Sequence, residues 1–217
     1  MRACCSSFTC ATSSQFGPAR AAADLARYQK KGPDLTTRLL REELSEAVPA
    51  VRSLLDIGAG VGALAYELLA DMEGSAVMVE ASNAFLHTAR QEAERRGLSG
   101  RISLVEGDFV ALASGLAPAD LVTMDRVVCC YPSARPLLME GLLHARRNFA
   151  LSYPQERWYM RAVTALQNAH RRLRQNQFRT YVHSVAVMHS IAVEQGFALH
   201  RRRSTLAWVI EVWRRVG

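Results

Sequence analysis

The chain has 217 residues, of which 49% are hydrophobic and 22% charged, and this composition suits one α/β domain with a buried core. No apolar run reaches the roughly 18 residues of a membrane-spanning helix, and no segment repeats at a fixed period, so spanning and repeat architectures are excluded. The net charge is +7, and residues 154–217 carry 11 arginines against 3 glutamates, so the basic excess is C-terminal.

A basic surface can attract nucleic acid or an anionic ligand. The chain has only 2 lysines against 25 arginines, however, a bias that a GC-rich genome also produces, so we do not expect a nucleic-acid partner. None of the five cysteines forms a C-x-x-C pair, which predicts reduced thiols, a cytoplasmic protein and no metal site. These cysteines are Cys4, Cys5, Cys10, Cys129 and Cys130.

The N-terminal part, residues 1–48, is predicted to be a tail followed by a helical cap. Residues 1–17 are expected to be disordered or extended, and the lack of acids in residues 1–23 leaves a targeting role open. A helix is predicted over 20–31, and Asp34 is expected to cap a second helix over 35–48. Tyr28, on the first of these helices, is a candidate catalytic residue on the acceptor side.

A strand is predicted over 51–56, and it runs into the glycine-rich stretch Asp56-Ile57-Gly58-Ala59-Gly60-Val61-Gly62. Gly58, Ala59 and Gly60 form a turn whose backbone can approach a nucleotide-like cofactor closely. Gly58-x-Gly60-x-x-Ala63 also satisfies the dinucleotide fingerprint, so the glycines alone admit NAD. Asp56 separates the alternatives, because a carboxylate here would repel a pyrophosphate and attract a cationic cofactor.

The alternation continues with strands over 75–80, 101–106 and 120–125, and helices over 61–70 and 82–96. Each strand ends close to an acid: Glu80, which Ala81 follows, then Asp108, which Phe109 follows, then Asp125. Ligands of open α/β sheets bind at the carboxyl ends of the strands, so these acids are expected to share one rim with Asp56. Several acids on one rim favour a positively charged cofactor.

These motifs resemble motif I and the following strand ends of class I S-adenosylmethionine-dependent methyltransferases. The resemblance implies that Asp108 bonds the exocyclic amine of adenine and that Phe109 flanks the ring. Within that class the chain looks most similar to magnesium-protoporphyrin O-methyltransferases, whose fourth-strand block reads Asp-Ser-(Leu)-(Ile)-His-Tyr. Here the block runs from Asp125 to Tyr131, with Cys129 in place of the histidine, so the acceptor is left open. Tyr131 is the second candidate catalytic residue.

The C-terminal half is predicted to contain a helix over 134–146, a strand over 148–153, helices over 155–175 and 184–195, and strands over 197–203 and 205–214. The last two strands are joined by a very short connection and should pair antiparallel. We therefore expect an α/β, Rossmann-like, doubly wound seven-stranded sheet with an antiparallel C-terminal hairpin over 49–217. Residues 155–180 are a candidate lid insertion.

The sequence predicts an S-adenosylmethionine-dependent methyltransferase that performs O-methylation by in-line transfer. The expected acceptor is a small molecule, and an anionic acceptor is one option. One alternative is an NAD(P)-dependent oxidoreductase, although no Tyr-x-x-x-Lys pair is evident. Another is a non-catalytic or nucleic-acid-acting relative that uses the basic C-terminal region. Cys130-Tyr131-Pro132 stands where base-amine methyltransferases carry an Asn/Asp-Pro-Pro-Tyr/Phe block, which argues against base amines. The oligomeric state is left open.

Overall fold

The computed structural model describes residues 7–217, and Cys4 and Cys5 lie outside the described residues. The helices are α1 (Ser7–Gln15), α2 (Pro18–Lys31), α3 (Leu35–Leu44), α4 (Ala63–Leu69), α5 (Asn83–Arg95), α6 (Phe109–Leu112), α7 (Ala134–His144), α8 (Trp158–Leu173) and α9 (Val185–Glu194). The strands are β1 (Ser53–Ile57), β2 (Ser75–Glu80), β3 (Ile102–Glu106), β4 (Ala119–Asp125), β5 (Ala145–Pro154), β6 (Phe197–Ser204) and β7 (Trp208–Arg215).

The strands form one seven-stranded sheet in the order β3-β2-β1-β4-β5-β7-β6. β1 to β5 pair in parallel, and β7 pairs antiparallel with both β5 and β6. The predicted doubly wound sheet with an antiparallel C-terminal hairpin is therefore confirmed. The strand order reverses between β1 and β4, and a crevice opens at such a point beyond the carboxyl ends of the strands.

The core lies on both faces of this sheet, because successive side chains of a strand point to opposite faces. On β1, Leu54 packs into one hydrophobic cluster and Leu55 into the other. Asp56 follows Leu54 on the same face and is paired in register with Thr123 of β4. A polar pair therefore stands inside an otherwise apolar layer, close to the end of the sheet.

The N-terminal prediction was partly wrong. Residues predicted to be disordered or extended form α1, and Phe8 and Thr12 of α1, together with Phe16 directly after it, recur four residues apart and pack against the domain. Asp34 does occupy the position before α3, but its side chain makes no capping hydrogen bond. It pairs instead with Arg27 and with a second arginine described below, and α3 ends at Leu44 rather than at residue 48.

The C-terminal elements match the prediction apart from their ends. β5 begins at Ala145, three residues earlier than predicted, because its extended start pairs with Ala119 of β4. The helix predicted over 155–175 is α8, Trp158–Leu173, and it contains no buried residue. Among the described residues, no helix is long and apolar enough to cross a membrane.

Candidate functional site

A cavity of about 280 Å³ lies at the strand ends where the sheet order reverses. Its floor comes from the β1 loop and from β2, and its opposite wall comes from α1 and α2. A smaller cavity of about 90 Å³ adjoins it and shares Gly58, Gly60, Asp125 and Arg126 with it. We call the two together the rim cavity. Pockets for small ligands start at about 300 Å³, so the combined space is that of a site for one small ligand.

The glycine loop forms the floor of the rim cavity. Gly58 has a φ of +66°, and a Cβ added there would lie 2.5 Å from the side chain of Val127. Gly60 has a φ of +60° and lines both cavities, and a Cβ added there would meet only Phe85, at an ordinary contact distance of 3.8 Å. The N–H groups of Gly58 and Ala59 donate to the carbonyl of Val79 at 2.8 and 3.2 Å, which fixes the loop against β2. The loop thus needs glycine for its conformation and leaves room for a ligand.

Glu80 is held at the cavity by two backbone hydrogen bonds. The N–H of Gly60 donates to its Oε2 at 3.0 Å, and the N–H of Ser82 donates to its Oε1 at 2.8 Å. Burial raises the pKa of Glu80, and these N–H donors act in the opposite direction. Glu80 and Ala81 both line the larger cavity. A carboxylate held in this way can accept further hydrogen bonds from ligand hydroxyls, since each oxygen has two lone pairs.

Asp56 lines the smaller cavity and is 2% exposed. The hydroxyl of Thr123 donates to its Oδ1 at 2.7 Å, whereas Oδ2 has no hydrogen-bond partner. Burial raises the pKa of Asp56 from 3.8 to about 7, and the carboxylates of Asp125 and Glu80 add to this effect. A buried oxygen without a partner is costly, so this atom marks a place for a cationic or hydrogen-bond-donating group.

Asp125 and Arg126 place opposite charges side by side where the two cavities join. The hydroxyls of Thr37 and Ser152 donate to the two oxygens of Asp125 at 2.6 and 2.5 Å. Arg126 has a left-handed φ of +61°, and its guanidinium lies 2.9 Å from Asp34. A non-glycine residue in this conformation is strained, and such strain concentrates at functional sites.

Tyr131 and Asp108 form a hydrogen-bonded pair at the far end of the larger cavity. The hydroxyl of Tyr131 donates to Oδ1 of Asp108, and the N–H of Val110 donates to the same oxygen at 3.1 Å. Burial, reinforced by Asp108, raises the pKa of Tyr131, so the phenol stays neutral at physiological pH. Tyr131 and Phe109 line the cavity, whereas Asp108 is not among its lining residues. Tyr131 therefore covers the carboxylate that the resemblance assigns to the adenine amine.

Tyr28 does not reach the rim cavity. Its hydroxyl donates to Glu67 at 2.8 Å, and the guanidinium of Arg96 lies 5.0 Å from its ring centroid. These residues line a separate cleft of about 400 Å³ between α2, α4 and α5. Burial followed by the Glu67 hydrogen bond raises the pKa of Tyr28. This placement corrects the expectation that Tyr28 faces the acceptor, and we do not retain it as a catalytic candidate.

The wall formed by α1 and α2 was missed in the sequence. Phe8 lies 4.3 Å from the ring of Tyr131, and Phe16 meets the rings of Phe85 and Phe178 at 5.6 and 5.2 Å. The hydroxyl of Ser82 donates to the carbonyl of Phe16 at 2.6 Å, which ties the residue after α1 to the start of α5.

Thr12, Arg20 and Asp24 complete this wall, and Thr12 is buried with an unpartnered hydroxyl. Arg20 donates to Asp24 at 3.0 Å. The four-residue spacing of Phe8, Thr12 and Phe16 is a helical signal that was available in the sequence. This wall screens the cavity from solvent and supplies both apolar and charged contacts.

Comparison with known proteins relates this chain to methyltransferases. Residues 54–149 match the family model described as a methyltransferase domain. No curated protein matched the chain. Magnesium protoporphyrin IX methyltransferase from Synechocystis PCC 6803, solved with bound SAH, has 19% identity and a TM-score of 0.70, and the match covers 90% of this chain and 96% of that one.

Two further solved structures match over most of this chain. An O-methyltransferase family protein from Burkholderia thailandensis has 16% identity and a TM-score of 0.65, with 92% of this chain and 63% of that chain covered. An O-methyltransferase from neocarzinostatin biosynthesis, solved with SAH and 1,4-dihydroxy-2-naphthoic acid, has 18% identity and a TM-score of 0.61, with 92% and 59% covered. At these identities the likeness establishes a shared fold.

Proposed function

We propose, from the premise that the chain carries a class I methyltransferase domain, that it transfers a methyl group from S-adenosylmethionine to a small-molecule acceptor. The observation that carries the proposal is the buried Oδ2 of Asp56. This oxygen has no hydrogen-bond partner, and Asp56 lines the same cavity as the glycine loop. A cationic amino-acid tail matches such an acidic site. A pyrophosphate would meet Asp56, Glu80 and Asp125 instead, which disfavours the NAD alternative.

The residues of the rim cavity fit the parts of this cofactor. Asp125 and Arg126 offer a carboxylate and a guanidinium to an amino-acid tail that carries both charges. Glu80, fixed by Gly60 and Ser82, is placed to accept hydrogen bonds from ribose hydroxyls. Phe109, with Asp108 behind Tyr131, is assigned to the adenine end by the same resemblance.

The bound cofactor supplies a methyl group that is already activated for transfer. The chain must hold the acceptor in line with that group and exclude water, and such positioning can lower a barrier by about 7–11 kcal/mol. Phe8 and Phe16 close the cavity toward solvent and supply flat apolar contacts. Tyr131 is neutral and donates a hydrogen bond, so its role is to position groups rather than to remove a proton.

We propose O-methylation of an acceptor that carries a carboxylate or an acidic hydroxyl. Arg20 lines the larger cavity, and although its Nε is paired with Asp24, a guanidinium has further N–H groups that can donate to an acceptor carboxylate. A carboxylate acceptor is already ionised and needs no general base. We also retain as proposals the cytoplasm as compartment, the boundary between the 1–48 cap and the 49–217 domain, and a lid role for residues 155–180.

The test is methyl transfer from isotopically labelled S-adenosylmethionine to a panel of aromatic carboxylates, phenols and amines, with the product located by mass spectrometry. We expect a labelled ester or ether. Gly60→Val serves as the control, because its side chain would fill the space beside the loop. Labelling confined to amines would contradict O-methylation, and labelling that Gly60→Val leaves intact would place the reaction outside this cavity.

A further inference from the structure

Helix α8 exposes its apolar face to solvent, whereas an ordinary surface helix buries its apolar face against the core. Its apolar residues recur at spacings of four, four, three and four, which places them along one face. We call this face the α8 stripe: Trp158, Ala162, Leu166, Ala169 and Leu173. Trp158 is 80% exposed, Leu166 73% and Leu173 84%. The large apolar side chains of the α8 stripe therefore face solvent.

The opposite, more polar side of α8 holds the helix to the domain. The amide of Asn168 donates to the carbonyl of Thr180 at 2.7 Å, and the N–H of Thr180 donates back to Asn168 at 3.0 Å. The guanidinium of Arg171 lies 5.4 Å from the ring centroid of Phe178. These contacts fix the orientation of α8, and in this orientation the stripe is not covered by the rest of the described chain.

The hairpin between β6 and β7 extends the apolar surface. The hydroxyl of Tyr159 donates to the carbonyl of Leu206 at 2.6 Å, so the hairpin lies beside the start of α8. Leu206 is 88% exposed. Tyr159 also lies 6.0 Å from the ring of Trp158, so Leu206 and the stripe are both reached from one side chain, and exposed apolar side chains grouped in this way indicate an interaction site.

The charges around the stripe decide which partner fits it. Residues 157–179 contain six arginines and no acid. A second copy of α8 laid along the stripe would bring one arginine-rich, acid-free helix beside another, and like charges placed next to each other are unfavourable, so a second copy is disfavoured. A partner that is both apolar and anionic is favoured.

We propose that the α8 stripe docks on the surface of an anionic lipid bilayer. A helix with Trp and Leu on one face and arginines beside it lies in the membrane interface, with the apolar side chains inserted and the guanidinium groups at the anionic headgroups. At 16 residues with several charges, α8 lies on the bilayer and does not cross it. The observations behind this docking are separate from those behind the proposed methyl transfer.

The test uses the whole protein and flotation with vesicles of phosphatidylcholine, alone or mixed with phosphatidylglycerol. Binding is expected to be at least about tenfold tighter to the mixed vesicles and to weaken with added salt. The emission of Trp158 should shift to the blue on binding, and a Trp158→Phe variant should lose this shift. Absence of binding to the mixed vesicles, or equal binding to both kinds, would overturn the proposal.

A matched pair of exposed substitutions separates the stripe from the general positive charge. Leu166→Ser is expected to weaken vesicle binding about tenfold or more, whereas Gln167→Ser, at the adjacent position off the stripe, should change it by about twofold or less. Equal effects of the two variants would mean that the arginines alone bind, and would overturn insertion of the stripe. Light scattering that finds a dimer, with Leu166→Ser as a monomer, would assign the stripe to a second copy instead.

Discussion

Replacement of Asp56 by asparagine should make the unfolding free energy less dependent on pH. In the folded chain burial raises the pKa of Asp56 from 3.8 to about 7, so the folded state binds this proton more tightly than the unfolded state. The stability that this proton contributes is fully present below about pH 4 and is lost as pH rises through about 7. Asparagine carries no such proton and removes that loss.

The size of the effect follows from the pKa difference. About three units at about 1.4 kcal/mol each give a total of about 4 kcal/mol. Between about pH 5 and about pH 8.5 the wild-type chain should lose roughly 3 kcal/mol from this group, and Asp56→Asn should not. The asparagine side chain still leaves one buried polar atom without a partner, which adds a cost of about 1–3 kcal/mol at every pH.

The assay is urea unfolding of the ligand-free protein at both pH values. Asp71→Asn, which removes an exposed carboxylate, controls for the loss of one formal charge. The quantity to compare is the change in unfolding free energy between the two pH values, since the pH-independent cost cancels. If this change in unfolding free energy is the same for wild type and Asp56→Asn, within about 0.5 kcal/mol, the pKa of Asp56 is not strongly raised and the reasoning is refuted.

Three further predictions concern the rim cavity. Gly60→Ala should lower affinity for S-adenosylhomocysteine by about tenfold or more in calorimetry while costing about 1 kcal/mol of stability, because its φ is positive and its Cβ would face the ligand; unchanged affinity would move the cofactor away from this loop. Glu80→Gln should also weaken binding by about tenfold, since an amide cannot accept hydrogen bonds at both ends; equal affinity would remove Glu80 from the ribose site. Tyr131→Phe should leave the pH profile of turnover between about pH 6 and 9 unchanged in shape, because the phenol is already neutral; loss of the limb in which turnover rises with pH would identify Tyr131 as a base.

The arrangement of the sheet could be predicted because its signals are local. Apolar runs that end in an acid and alternate with helical spacing predict parallel strands, and a short connection between the last two strands predicts their antiparallel pairing. The convergence of Asp56, Glu80 and Asp125 at one rim follows from that topology alone. The rim cavity confirms their proximity, and their roles toward a cofactor stay predictions.

Other parts of the site depend on tertiary contacts that no local pattern encodes. Tyr28 sits on a helix of the predicted kind, yet the turn of that helix points it at Glu67 and Arg96, away from the cavity. Asp108 accepts a hydrogen bond from the hydroxyl of Tyr131, and this contact depends on how the segment after β4 folds back. α1 is a weakly amphipathic helix, and its position depends on the contact of Phe8 with Tyr131 and, directly after the helix, of Phe16 with Phe85.

The most direct measurement is calorimetric titration of the intact protein with S-adenosylhomocysteine and, in parallel, with NAD. The account predicts binding of S-adenosylhomocysteine with a Kd below about 100 μM, and no heat from NAD up to about 1 mM. Tight binding of NAD, or no binding of S-adenosylhomocysteine up to about 1 mM, would contradict the assignment of this cavity to a methyl donor.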